Sequence, residues 1–258
     1  MKKIKLGIFG PEGRMGADLL VQQKNFKDLE LSSLCERKGH PSIGKIINGK
    51  KILDNVEQFV SLSDVIIDFT VPEATIELMR VMKNYKKVSL VTGTTGYNDS
   101  SEKIFLNLSK GKKILRSFNM SIGVNLLKNL AGISSKSIGK LADIEITEIH
   151  HNKKKDIPSG TALVLVDSIK EGCKKIKKST YRKDGPNNPR KTNEIGLTSI
   201  RGGDIIGEHI VYFFLDGERI ELSHKASDRK IFSNGALEAA KWINNKKPGL
   251  YSIKDMLD

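Results

Sequence analysis

Ile4-Lys5-Leu6-Gly7-Ile8-Phe9-Gly10-Pro11-Glu12-Gly13-Arg14-Met15-Gly16 is the stretch on which the fold turns. Ile4, Leu6 and Ile8 alternate with Lys5 and Gly7, which predicts a short buried strand completed by Phe9. Ala17 to Gln23 has the composition of a helix, so three glycines lie between a strand and a helix. That context is the one a dinucleotide-binding turn requires. One glycine permits the tight turn, one lets backbone approach a pyrophosphate, and one lets the helix pack on the sheet. The phosphates then sit at a helix N-terminus, where N–H groups and the dipole favour anions. Glu12 stands where a second glycine is usual, so the spacing is G-x-x-G-x-x-G.

Working outward, Leu29 to Cys35 predicts a second strand ending at Glu36-Arg37, and Glu36 lies twenty residues past Gly16. An acid there accepts from ribose hydroxyls, while an adjacent arginine pairs with a 2′-phosphate, so both NADH and NADPH are expected to be tolerated. Asp64 to Phe69 and Val88 to Val91 predict further strands, the first followed by a helix from Thr70 to about Lys83. The small residues Thr92-Gly93-Thr94-Thr95-Gly96 follow the second of these strands, at the end where an open α/β sheet binds ligands. Ile114-Leu115 leads to Ser117-Phe118-Asn119-Met120-Ser121. Strands alternating with helices predict an α/β, doubly wound parallel sheet.

Composition narrows the partners. The apolar residues make up 38% and glycines number 23, enough for a packed core and too many for wholesale disorder. No apolar run approaches the ~20 residues of a membrane-spanning helix, and the apolar run after Met1 stops too early for a signal peptide. Cys35 and Cys173 lie far apart without metal-ligand spacing, so neither a disulfide scaffold nor a metal site is expected, and the expected compartment is the reducing cytoplasm. Lys and Arg number 44 against 30 Asp and Glu, a net charge of +14, which suits nucleic acid or small polyanions. Aromatics are 6% and do not interleave with the basic residues, so there is little material for stacking bases, and neither nucleic acid nor membrane is expected as a partner. Lys174 to Asn193 is polar, holds Pro186 and Pro189, and reads as a mobile loop.

The chemistry-bearing segment comes later. After a helix expected from Val124 to about Ile138, Asp143 to His151 alternates as a half-buried strand, with Ile144 and Ile146 on one face. It runs into Asn152-Lys153-Lys154-Lys155-Asp156-Ile157-Pro158-Ser159-Gly160-Thr161-Ala162, where Ser159 is a candidate N-cap for the next helix. Two imidazoles, three ammonium groups and a helix N-terminus would suit a small dicarboxylate. Histidine transfers protons near neutral pH. Lys154 is suited to hold a carboxylate or donate a proton. His150 and His151 share one site only if the strand has ended there. Read by itself, the segment is also an ordinary exposed basic loop. Glu208 to Leu215 and Glu218 to Ser223 predict a hairpin turning at Asp216-Gly217, apolar on both faces, so helices cover one face and the other meets another subunit or is covered within the same chain. Gly235 to Trp242 predicts a terminal helix.

Glu148 to Ala162 closely resembles the E-x-H-H-x-x-K-x-D-x-P-S-G-T-A signature of the dihydrodipicolinate reductase family. Gly10 to Gly16 resembles its G-x-x-G-R-M-G, and Gly93 to Gly96 its G-T-T-G. Asn119 to Asn125 resembles its N-F-S-x-G-V-N with Met120 for the common Phe, and Ser117 stands where Ala is frequent. Arg201 to His209 and His224 to Arg229 resemble its C-terminal blocks. The resemblance implies a Rossmann-type sheet over residues 1–121 and 229–258, binding NADPH or NADH. It further implies a second α+β domain with an open mixed sheet over 122–228, holding substrate and forming a homotetramer. It implies His150 as general acid/base and Lys154 as proton donor, with His151, Gly160 and Thr161 on the substrate's carboxylates. Gly10, Gly13, Arg14, Met15, Gly16, Glu36 and Arg37 would hold the adenosine and pyrophosphate half. Gly93, Thr94, Thr95 and Ser117, Phe118, Asn119 and Met120 would line the nicotinamide side. The implied reaction reduces 4-hydroxy-tetrahydrodipicolinate in lysine and diaminopimelate biosynthesis. The competing readings are another two-domain NAD(P)-dependent oxidoreductase, such as an amino-acid dehydrogenase, and a non-catalytic basic binding protein.

Overall fold

The computed structural model describes residues 3–182 and 189–258. They fall into two units, Met1–Ile122 with Lys230–Asp258, and Gly123–Arg229. The first begins with β1 (Ile4–Phe9), α1 (Arg14–Gln22), β2 (Leu29–Cys35), β3 (Ile46–Ile47), β4 (Lys50–Leu53) and α2 (Val56–Ser61). It continues through β5 (Val65–Asp68), α3 (Pro72–Val81), β6 (Ser89–Thr92), α4 (Asp99–Ser109) and β7 (Lys113–Arg116). The second holds α5 (Ile122–Ile138), β8 (Asp143–His150), α6 (Gly160–Gly172), β9 (Lys178–Tyr181), β10 (Glu194–Arg201), β11 (Gly207–Phe214) and β12 (Arg219–Ala226). The chain then returns with α7 (Lys230–Asn244), β13 (Gly249–Tyr251) and α8 (Ile253–Leu257).

In the first unit an eight-stranded sheet runs β13-β7-β6-β5-β1-β2-β4-β3, parallel except for the β3–β4 pair. Alternate residues enter different cores, as a sheet covered on both faces requires. Leu6, Ile8, Val65, Ile67 and Val91 pack with Leu19 of α1 and Ala236, Leu237 and Ala240 of α7. Ile66, Leu90 and Ile114 pack with Phe59 of α2, Leu78 and Met79 of α3 and Phe105 of α4. Each of these Leu, Ile, Val, Met and Phe side chains contributes about 1.5–3 kcal/mol of burial. β1 pairs with β2 on one side and β5 on the other. The direction of strand addition therefore reverses at β1, which opens a crevice beyond the strand ends where α/β sheets take ligands.

The second unit is a five-stranded mixed sheet, β12-β11-β8-β10-β9. Ile144, Ile146, Ile195, Leu197, Val211 and Phe213 pack under Leu127 and Ala131 of α5 and Leu165, Val166 and Ile169 of α6. On the opposite face Ile200 and Phe214 are exposed, with the Tyr212 and Phe214 rings stacked at 5.5 Å. One apolar face is thus covered by helices and the other is open among the described residues.

Two expectations change. Lys174 to Asn193 is not all loop: Lys178–Tyr181 pairs parallel with β10, and Arg182 beyond it bonds Glu194 at 2.8 Å and also pairs with Glu145. Thr180 and Tyr181 suit a strand, and the neighbouring carboxylates hold the arginine. Residues 183–188 of that stretch lie outside the described residues. The terminal helix is also longer than Gly235 to Trp242, and β13 and α8 follow it. Among the described residues no helix is long and apolar enough to cross a membrane.

Candidate active site

At the end of β1, Gly10 takes a left-handed φ of +76°, and a methyl group there would lie 2.7 Å from Thr70 Cγ2. Gly13 donates to the Gly10 carbonyl at 3.2 Å and opens α1 without a side-chain cap. The first N–H groups of α1 are therefore not taken by a cap and face the position an anion would take. A Cβ on Gly16 would overlap the Gly10 carbonyl oxygen, so only glycine lets the turn close onto the helix. Arg14 is exposed and Met15 half-buried beside it. These features fit a pyrophosphate group.

Glu36 is buried and turned toward this loop. It accepts from the Glu12 N–H at 3.1 Å and the Arg37 N–H at 3.3 Å, while Ser42 Oγ donates to Glu12 at 2.9 Å. A carboxylate offers about four acceptor sites, so capacity remains for a ribose hydroxyl. Arg37 is exposed.

Asp68, fully buried at the end of β5, organises the neighbouring loops. Its carboxylate accepts from the Thr70 N–H at 2.9 Å, Thr70 Oγ1 and Thr75 Oγ1 at 2.6 Å, Thr92 Oγ1 at 3.0 Å and Thr94 Oγ1 at 3.2 Å. Thr94 thus points inward, and Thr95 is the exposed threonine of the loop. Gly93 lies flat against the Phe69 ring, where a side chain would overlap it. Ser117 donates to the Asn119 carbonyl at 2.7 Å, Phe118 is 66% exposed, and Met120 has its side chain buried in the core and its carbonyl packed against Gly235.

In the second unit, parity along β8 places Ile144, Ile146, Glu148 and His150 on one buried face. The strand ends at His150. The Gly202 N–H then donates to the His150 carbonyl at 2.9 Å and the His151 N–H to the Ile205 carbonyl at 2.7 Å, which releases His151 from strand geometry. Glu148 is fully buried and holds His150 Nδ1, the Arg201 guanidinium through both terminal nitrogens at 2.9 and 2.7 Å, and the Ser159 N–H at 3.3 Å. Arg201 also donates to the Asp156 carbonyl at 2.7 Å. Lys154 Nζ sits on both oxygens of Asp156 at 2.8 Å.

Ser159 caps α6 by accepting from the Ala162 N–H at 3.2 Å, and its hydroxyl lies 3.0 Å from His209 Nε2. A Cβ on Gly160 would meet nothing within 4 Å, so the head of α6 has open space beside it. The second unit therefore gathers His150, His151, Lys154, Gly160 and Thr161 at the end of β8, the loop behind it and the first turn of α6.

Electrostatics differ along this face. Burial pushes the Glu148 carboxyl up, but hydrogen bonds from Arg201 and His150 outweigh it and hold it below the usual carboxylate range. Burial lowers His150, with Lys154 and Arg201 adding to the effect, so the ring is neutral near pH 7 despite Glu148. His209, its ring 5.2 Å from that of His150, is pushed down to about 4 by burial. Asp156 is lowered by its bond to Lys154.

Sequence reasoning placed Glu148, Arg201 and His209 in family-like motifs but gave no role to them or to Asp68. Glu148 had a readable signal: it stands two residues before His150, so it shares the apolar face, where a buried acid needs partners. Arg201 depends on the β8–β10 pairing, which sets Arg201 opposite His150 and is not visible in either segment.

Comparison with known proteins agrees with this geometry. The family model described as dihydrodipicolinate reductase, N-terminus, matches residues 4–120, and that described as dihydrodipicolinate reductase, C-terminus, matches 123–257. The chain is 46% identical to 4-hydroxy-tetrahydrodipicolinate reductase of Pelagibacter ubique, covering 100% of this chain and 99% of the relative. It is 43% identical to the enzyme of that name from Helicobacter hepaticus, covering 99% of each. In fold it is similar to a dipicolinate-bound dihydrodipicolinate reductase from Paenisporosarcina sp. TG-14, with a TM-score of 0.81, 24% identity and 97% of each chain covered.

Proposed function

Because this chain belongs to the dihydrodipicolinate reductase family, we propose that it reduces 4-hydroxy-tetrahydrodipicolinate to tetrahydrodipicolinate with loss of water, in lysine and diaminopimelate biosynthesis. The observation that carries this reading is the grouping of His150, Lys154 and the head of α6 within one unit. A dicarboxylate suits that group: His151 and the Gly160–Thr161 end of α6 would hold its carboxylates, since helix N-terminal N–H groups favour anions.

The uncapped α1 N-terminus and the cradle that Gly10 and Gly16 keep clear fit the pyrophosphate of a nicotinamide nucleotide. Gly13, Arg14 and Met15 would contribute to that hold. Glu36 would reach the ribose and Arg37 a 2′-phosphate, so NADPH and NADH are both accepted. The Gly93-Thr94-Thr95 and Ser117-Phe118-Asn119-Met120 loops would line the nicotinamide. When bound, a reduced nicotinamide supplies the hydride that reaches ring carbon C4.

The remaining chemistry belongs to side chains. His150, neutral near pH 7, takes a proton from the ring carbon beside C4. The C–H electrons form the new carbon–carbon double bond as the C4–O bond breaks. Lys154 gives a proton to the departing hydroxide, which leaves as water. Once C4 is reduced, the imidazolium returns its proton to the neighbouring carbon, and Lys154 is recharged from solvent. The balance is one hydride and one proton consumed and one water released. Positioning of both reactants and charge complementarity supply most of the rate.

The open apolar face around Ile200, Tyr212 and Phe214 supports a homotetramer assembled through this sheet. Two free, buried cysteines fit a reducing cytoplasm. The test is steady-state loss of nicotinamide absorbance with substrate generated by the preceding synthase, measured separately with NADPH and NADH. Turnover with both is expected. No turnover with either would overturn the reading.

A further inference from the structure

His150 has two ring nitrogens, and their surroundings differ. Nδ1 lies against Glu148 Oε2. Nε2 faces Gly207 of β11, where an added methyl would stand 3.0 Å from Nε2 and 3.3 Å from Cδ2. A side chain at position 207 would fill the approach to Nε2, and glycine leaves it clear.

Glu148 is saturated by donors. Oε1 takes Arg201 Nη2 at 2.7 Å and the Ser159 N–H at 3.3 Å, and Oε2 takes Arg201 Nη1 at 2.9 Å and His150 Nδ1. An ionised carboxylate only accepts, so the contact with Nδ1 requires hydrogen on Nδ1. In the neutral ring the lone pair is then on Nε2, the nitrogen beside Gly207. The lowered carboxyl of Glu148 keeps it ionised, which supports this assignment. Arg201 reaches further, to the Asp156 carbonyl at 2.7 Å, and Asp156 in turn holds Lys154. One guanidinium thus ties the strand that carries His150 to the loop that carries Lys154.

We propose that Glu148 and Arg201 are positioning residues for the reaction. They hold His150 with hydrogen on Nδ1 and direct its Nε2 lone pair into the space that Gly207 leaves, while Arg201 fixes the loop bearing Lys154. This inference rests on the reading of His150 as the acid/base group. The tautomer divides the labour: neutral His150 accepts a proton at Nε2, and Lys154 donates the first one. Among the described residues the charged and titratable groups facing His150 are Glu148 from its own strand, Arg201 from β10, Lys154 from the following loop and His209 from β11.

The test is a double-mutant cycle on the full-length enzyme, combining Glu148→Gln with His150→Ala. Arg201 retains the glutamine carbonyl, so the amide N–H₂ faces Nδ1 and selects the tautomer with hydrogen on Nε2. Glu148→Gln should lower kcat about 10²-fold or more in the wild-type background, with nucleotide KM unchanged. It should cost less than about threefold when His150 is already alanine, because coupled residues are not additive. ¹⁵N NMR of the imidazole should show Nδ1–H in the wild type and Nε2–H in Glu148→Gln. The acid limb of kcat should move to lower pH in that variant, because the imidazolium loses its carboxylate partner.

Equal losses in both backgrounds would overturn the positioning role. Wild-type turnover by His150→Ala would instead overturn the acid/base reading on which it rests. Gly207→Ala is a second variant that keeps the hydrogen-bond network, and position 207 has no positive φ to strain it. It should lower kcat with the Nδ1–H tautomer retained. Wild-type kcat in Gly207→Ala would contradict the use of that open side of the ring.

Discussion

At the end of β1 one added methyl group would close the site, whereas at the end of β8 the loss of one carboxylate would take it apart. The first region is built from absence: Gly10, Gly16 and Gly93 leave room for backbone and rings, and the hydroxyls around it are gathered inward by Asp68. The second is built from charge: a buried Glu148 and a half-buried Arg201 hold an imidazole, a loop carbonyl and a helix cap in register. A site made by backbone tolerates loss of side chains and not their gain. A site made by buried ions tolerates neither partner's loss, because the survivor stays buried and unpaired.

The sharpest break in that contrast is Glu148→Ala. It leaves the Arg201 guanidinium, with only 14% of its side chain exposed, without its carboxylate. The expected destabilisation is about 3–5 kcal/mol by denaturant titration. A loss under about 1 kcal/mol would mean that the network does not hold the second unit together.

Next comes pH. His209 titrates at about 4 in the folded protein, below its ordinary value, so the folded state favours the neutral ring. Between about pH 6.5 and 4 the unfolded chain therefore binds the extra proton, and stability falls as pH falls, by about 3 kcal/mol over the window. That stability is fully present above about pH 6.5. His209→Asn should flatten this part of the stability–pH curve, and an unchanged slope would show that the ring is not held neutral.

The smallest expected effect on stability tests the other region. Gly16→Ala places a Cβ onto the Gly10 carbonyl and should cost about 1–3 kcal/mol, together with most of the nucleotide affinity. Wild-type binding in a nucleotide titration of Gly16→Ala would show that the turn has slack, and the contrast between the regions would weaken.

The same contrast explains what was legible in the sequence. The first region follows local rules, so Gly10 to Gly16 announced a strand, a turn and a helix; β1 and β2 lie where the alternation puts them, while α1 begins at Arg14, three residues before the expected Ala17, and takes in Gly16. Ser159 was also local, and it caps α6 as its place before Gly160-Thr161-Ala162 suggested. The short β3, β4 and α2 carry too few residues for a period to emerge. Arg201 could not be read, because only the parallel pairing of β8 with β10 sets it beside His150, and that register joins segments separated by a helix and a strand. Thr94 shows the same limit on a smaller scale. The loop was legible, but which threonine faces inward is decided by Asp68 on another strand.

The most direct test of the account as a whole is the variant carrying His150→Ala and Lys154→Ala, assayed with authentic substrate and titrated separately with NADPH. Turnover should fall at least about 10³-fold while NADPH affinity stays within about twofold of the parent. Parental turnover in that variant would contradict the claim that the second unit's histidine and lysine carry the proton chemistry.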